Sequence, residues 1–136
     1  MTGYLIQDSE AMAELIDSIS ESGIIPIVES FETILINKEK STLGQCEMAL
    51  SSAELVASLT GTFSEESSDE FRDKVTSLSH SLDQIFDHRI KEIAADVIDQ
   101  LGAESELKIL WRESEFFEKW NNHLIEIQNR LLQNMK

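Results

Sequence analysis

Apolar residues recur along most of this chain at intervals of three and four, the spacing of one face of an α-helix. The first such run spans Ser9 to Ser22. It carries Met12, Leu15, Ile16 and Ile19, with Asp8 or Ser9 placed to cap its start and Gly23 where a left-handed terminating residue belongs. Pro26, the only proline, suits the first turn of a second helix that places Val28, Phe31, Ile34 and Leu35 on its core side and ends at Asn37. After a polar connection over 37–40, Ser41 or Thr42 opens a third helix through Cys46, Ala49, Leu50, Ala53 and Val56, closed by Gly61. Its Ala49, Ala53 and Ala57 suit close helix approach.

Thr62 to Ser68 reads as a loop, and Ser68 is the expected cap of a short helix with Phe71, Val75 and Leu78. Ser81 with Gln84 resembles a capping box opening a long helix through Ile85, Ile90, Ile93, Ala94, Val97, Ile98 and Leu101, which Gly102 is expected to end. Ser105 begins a run with Leu107, Leu110 and Trp111. Past a break near Ser114, the last helix carries Phe117, Trp120, Leu124, Ile127 and Leu131. One segment has a second reading: the β-branched run Ile24 to Val28 also fits an edge strand. The pattern predicts an all-α fold, a compact single-domain bundle of about six to seven short helices over residues 1–136, with no internal repeat.

Composition supports a folded domain: with 41% hydrophobic residues in a 136-residue chain, one core suffices without a disulfide or metal staple. Charge adds something the pattern does not contain. Through Phe71 the chain has 14 carboxylates against only Lys38 and Lys40, whereas from Arg72 onward 12 acids meet 9 bases. The net charge of −15 is therefore concentrated in the first half. Such a surface repels nucleic-acid phosphate and anionic lipid, and it attracts a basic protein partner. No membrane or nucleic-acid role is expected. Cys46 is alone, and neither a signal-peptide pattern nor a membrane-length apolar run is evident, so the cytoplasm is the expected location.

No catalytic constellation emerges. The Glu-x-x-His pair of di-metal helical bundles is missing, because His80, His88 and His123 are preceded at three residues by Ser77, Ile85 and Trp120. His88, Glu92 and Asp96 share a helix face by spacing, but the same spacing describes a solvated face. Cys46 falls on an apolar stripe, where it reads as a small buried hydrophobe rather than a nucleophile. No phosphate loop, dinucleotide fingerprint or nucleophile elbow occurs. The chain is accordingly expected to be no enzyme and to need no cofactor or metal.

The partner-binding candidates are the acids of the early helices, Glu10, Glu14, Asp17, Glu21, Glu29 and Glu32, together with Phe63, Glu65, Glu66, Asp69 and Glu70. Phe63 lies outside any periodic stripe and beside four acids, the composition of an aromatic anchor in an acidic rim. Its other reading is a ring folded back over the end of the neighbouring helix.

The stretch Ala49 to Gly61 (ALSSAELVASLTG), the stretch Ser105 to Ser114 (SELKILWRES) and the following Trp120 resemble an uncharacterised bacterial family of small helical proteins, a domain of unknown function. Members often open with a Trp-Gly element and an Asn-Asp pair, where this chain has Gly3-Tyr4 and Gln7-Asp8. The resemblance implies a helical fold and brings no catalytic residues. Small acidic proteins of this look are also similar in character to immunity proteins of toxin systems, including contact-dependent inhibition. The expected function is thus a stoichiometric inhibitor, an immunity protein that neutralises a basic, nuclease-type toxin domain through its acidic surface. The alternative is a regulatory or scaffold helical module, either monomeric or homodimeric, with no toxin partner.

Overall fold

A computed structural model of the chain describes residues 9–59, 63, 67–81 and 88–132. Among these, seven α-helices and one short 3₁₀ turn account for the regular structure. They are α1 (Glu10–Ser22), α2 (Ile25–Asn37), the turn (Lys38–Lys40), α3 (Leu43–Leu59), α4 (Asp69–Ser81), α5 (His88–Ala103), α6 (Glu106–Arg112) and α7 (Phe117–Leu132). The fold is all-α.

Side-chain oxygens set most of the helix starts. Ser9 Oγ accepts from Met12 N at 3.1 Å, Ser68 Oγ from Phe71 N at 3.1 Å, and Ser105 Oγ from Lys108 N at 2.9 Å. At α3 the cap is reciprocal: Gln45 N donates to Thr42 Oγ1 at 3.2 Å while Thr42 N donates to Gln45 Oε1 at 2.9 Å. Gly23 ends α1 with φ 70°, a backbone angle that favours glycine, and its N–H donates to Ile19 O at 2.8 Å.

The centre of the molecule is α3. Every residue from Ala49 to Ser58 is buried, so the helix has no solvent face beyond its first turn and a half. It packs against α1, α2, α4, α5, α6 and α7. Small side chains permit that enclosure: Ala49, Ala53 and Ala57 are fully covered, and Ser30 of α2 donates to Ser52 of α3 at 2.8 Å. On the far side, α5 and α7 pack on each other and on α3, contributing Ala94, Val97, Ile98, Leu101, Leu124, Ile127 and Leu131.

Several expectations are corrected. Ile24 to Val28 is not extended, since α2 begins at Ile25. The core side of α2 is Ile27, Phe31 and Ile34, with Leu35 half-buried and Val28 exposed at its margin. So many apolar residues crowd 24–36 that one helix face cannot hold them all. On α6, Leu107 is buried and Trp111 half-buried, while Leu110 faces solvent. Gly102 does not end α5, which runs one residue further to Ala103. Ser81 is the last residue of α4 rather than the start of α5, and the rest of the expected capping box, like Gly61, lies outside the described residues.

Candidate functional site

Two groupings of polar side chains stand out, one inside the fold and one on its surface. The inner one begins at Glu54, the only charged residue of α3 beyond Glu47, held at the middle of the buried helix. Arg130 Nη2 from α7 lies 2.7 Å from both Glu54 oxygens, and Arg130 Nε donates to Glu126 Oε1 at 2.7 Å. Ser58, one turn along α3, donates to Glu54 Oε2 at 3.0 Å. His123 Nε2 is 3.7 Å from Glu54 Oε1, an ion-pair distance beyond hydrogen-bond reach.

Burial opposes the Glu54 charge and is the largest influence on it, but His123 and Arg130 outweigh it and hold the carboxyl below its ordinary value. Of the two, Arg130 is the firmer partner, because its contacts are a full ångström shorter. The buried Trp120 Nε1 and His123 Nε2 make no hydrogen bond. Trp120 stacks on Trp111 with ring centroids 6.4 Å apart and meets Phe117 at 6.1 Å.

Glu54, His123 and Glu126 place three potential metal ligands within 4.8 Å of one another. The guanidinium of Arg130 already lies against both carboxylates and supplies the positive charge that a cation would bring. We therefore read the group as a structural clamp joining α3 to α7. Sequence reasoning missed it because it sought carboxylates three residues before a histidine, whereas Glu126 follows His123 by three. The available signal was Glu54 itself, the lone charge between Met48 and Gly61. As for the other candidate, Glu92 and Asp96 are exposed on α5, and the side chain of His88 lies outside the description. Burial pushes the Cys46 thiol up, and hydrogen bonds from the backbone of Leu107 and Glu106 offset this only in part. That direction is opposite to the activation of a nucleophile.

The surface grouping is the acidic face of α1 and α2. Glu10, Glu14, Asp17 and Glu21 follow one another at intervals of four, three and four, and all are exposed along the side of α1 opposite Met12, Leu15 and Ile19. Glu29 and Glu32 are exposed on α2, which packs beside α1. Among the described residues, no lysine or arginine forms a salt bridge with any of these six carboxylates. A hollow of about 270 Å³ is lined by Leu15 and Ser18 of α1, Glu29 and Thr33 of α2, and Gln45 and Met48 of α3.

The remaining candidates are placed apart. Asp69 and Glu70 are exposed in the first turn of α4, where Glu70 pairs with Lys74 at 3.4 Å. Glu70 and Lys74 line a hollow against α1 with Ser9, Ala13 and Ile16. Phe63 is half-buried, edge-on to Phe71 at 6.5 Å, and carries the Arg72 guanidinium 5.1 Å above its ring. The ring thus covers the neighbouring helix. Glu65 and Glu66 lie outside the described residues.

Together these features define a class: small all-α proteins with an enclosed central helix pinned by a buried ion pair and with acidic outer helices. A family model described as a domain of unknown function (DUF4259) matches residues 7–123, and the chain belongs to that family. No curated protein and no solved structure matches the chain.

Proposed function

We propose that this protein is a binding module that captures a basic protein partner through the outer face of α1 and α2. The observation that carries this reading is the line Glu10, Glu14, Asp17 and Glu21, four exposed carboxylates on one helix side without a salt-bridged lysine or arginine among the described residues. Like charges at these spacings destabilise a helix, so a chain that keeps them gains something elsewhere. A ridge of fixed negative charge accelerates encounter with a basic surface and suppresses wrong partners.

The finer reading is that the partner is a toxin domain whose basic surface serves nucleic-acid phosphate, and that this chain is its immunity protein. Occupying such a surface blocks substrate, and fast association suits a partner that must be captured before it acts. The test is affinity capture from the source cell at low salt, followed by association kinetics of the captured protein. The reading expects a basic partner that arrests growth when expressed alone and associates more slowly as salt rises. It expects Glu14→Lys with Asp17→Lys to cut that rate at least tenfold. A partner bound at a rate indifferent to both salt and these substitutions overturns it.

A second reading, a self-associating regulatory or scaffold module, is favoured by one observation. Ile109, Leu110 and Phe116 around α6, and Ile125 and Leu132 on α7, are exposed where the charge is mixed rather than acidic. Sedimentation equilibrium separates the two, since a dimer broken by Leu110→Ser and unaffected by the α1 substitutions supports self-association.

A further inference from the structure

We propose that the outward strip of α2 docks a single amphipathic helix of the partner, one that carries two lysines or arginines set between two apolar residues. This rests on the binding role proposed above and gives the partner a shape.

Ile25, Glu29, Glu32 and Ile36 are spaced by four, three and four, so they return to one side of α2, opposite the buried Ile27, Ser30, Phe31 and Ile34. Ile25, the first residue of α2, is 55% exposed and Ile36, its last but one, is 74% exposed, so the strip has a large apolar side chain open to solvent at each end. Val28, also exposed, borders the strip. At ~1.5 Å rise per residue the two isoleucines are about 16 Å apart, three turns of helix. The flank is not flat. A hollow of about 280 Å³ is lined by Glu29, Glu32, Thr33, Ile36 and Asn37, and it adjoins the hollow shared with α1 through Glu29 and Thr33. Two apolar ends with charge between them and relief alongside make a surface that a helix can follow with side chains at matching intervals.

Charge decides the occupant. A second copy of this chain is a poor one: antiparallel pairing of the strip with itself sets Ile25 against Ile36 but Glu29 against Glu32, closing four carboxylates together on molecules of net charge −15. Parallel pairing repeats the same repulsion. A helix with two basic residues in the middle converts both carboxylates into partners while its apolar residues cover the isoleucines. Lys38 and Lys40, exposed just past the strip, set its limit. They disfavour further basic residues there, so the partner's positive charge is confined to the centre.

The test is an NMR titration of the ¹⁵N-labelled full chain with a synthetic alanine-rich helical peptide carrying Leu-x-x-x-Lys-x-x-Lys-x-x-x-Leu, alongside one peptide with both lysines replaced by glutamate. The expected result is shift changes centred on Ile25, Glu29, Glu32 and Ile36 with the lysine peptide and none with the glutamate peptide. Glu29→Lys with Glu32→Lys, and separately Ile25→Ser with Ile36→Ser, should each weaken binding at least tenfold while circular dichroism stays unchanged. Shifts centred on the α1 ridge instead overturn the docking strip and leave the wider binding role standing. Binding that ignores the isoleucine substitutions reduces the contact to charge attraction and also overturns it. No response to the lysine peptide at millimolar concentration overturns the strip, whereas failure of the capture experiment above overturns the binding role on its own terms.

Discussion

Arg130 Nη2 sits 2.7 Å from both carboxylate oxygens of Glu54, a contact that closes 76 residues of chain and fastens α7 to the enclosed face of α3. Both side chains are more than nine-tenths buried, so neither charge can fall back on water if the other is lost. Removing one partner of such a pair costs about 3–5 kcal/mol, whereas replacing both by apolar groups is often neutral. Arg130→Met alone should therefore destabilise the fold by about 3–5 kcal/mol, and the double variant Glu54→Leu with Arg130→Met should recover most of that loss. Urea unfolding of the two single variants and the double variant checks this, and additive losses would mean that the pair is not coupled.

The same contact sets an acid dependence. Glu54 is held below its ordinary value in the folded chain, so its contribution is fully present above the unfolded glutamate value of about 4.3 and is lost as pH falls through the lower folded value. Compared with Glu54→Gln, the native protein should hold a stability advantage that shrinks as pH falls below about 4.3. The other carboxylates are common to both proteins and cancel in the difference. Unfolding midpoints measured in parallel from pH 7 to pH 3 give the comparison, and an advantage that persists unchanged at pH 3 contradicts it.

Arg130 occupies the place that a cation would take among these side chains. With the guanidinium present, Glu54 and Glu126 are both engaged; without it, two carboxylates and an imidazole remain within 4.8 Å of one another. Zinc accepts this donor set once the side chains close toward tetrahedral geometry. Millimolar Zn²⁺ should raise the melting temperature of Arg130→Met by several degrees and leave that of the native protein unchanged. Thermal scans with and without chelator decide it, and equal responses in the two proteins would show that Arg130 does not exclude the ion.

Ser105 offers a local test of how the helices are started. Its hydroxyl accepts from Lys108 N at 2.9 Å and donates to Leu101 O at 2.8 Å, so one buried side chain serves the start of α6 and the end of α5. Ser105→Ala should cost about 1–2 kcal/mol, within the range of lost N-caps. Ser20→Ala, which removes only an exposed bond to Ile16 O, should change stability by less than about 0.5 kcal/mol.

What was legible in the sequence follows from what period and caps can carry. Ser9, Gly23, Thr42, Ser68 and Ser105 act locally, within four residues of the groups they satisfy, and each falls where the pattern places a helix end. The Glu54–Arg130 clamp joins residues on different helices, and no local rule relates them before the helices are assembled. Burial of α3 on all sides was equally hidden, because Ser51, Ser52 and Ser58 look like solvent-facing residues until neighbours are seen on every side. On α2 the apolar run was visible, but which isoleucines face outward depends on the side that α3 covers. The acids of α1 were readable as a set, since their intervals alone place them on one side of a helix. Glu70 pairs with Lys74 one turn later, a spacing that the sequence also carries.

The α1 ridge has its own energetic signature. Glu10 and Glu14, Glu14 and Asp17, and Asp17 and Glu21 are like-charged neighbours three or four residues apart, with no basic residue in the helix. Each such pair costs about 0.2–0.5 kcal/mol at low salt. Glu14 belongs to two of the three pairs, so Glu14→Lys should stabilise the protein by about 0.8–2 kcal/mol at low ionic strength by turning two repulsions into attractions. Salt screens exposed charges, with a Debye length of roughly 3 Å at 1 M, so the gain should largely disappear there while the native protein itself becomes more stable. Denaturation by urea, which adds no ions, measured at 10 mM and 1 M NaCl checks both statements. A variant that is more stable yet binds its partner more slowly would show that the carboxylates are kept at the expense of the fold. A Glu14→Lys variant that is less stable at low salt would mean that the ridge is already compensated, and the case for a waiting basic partner would lose its main support.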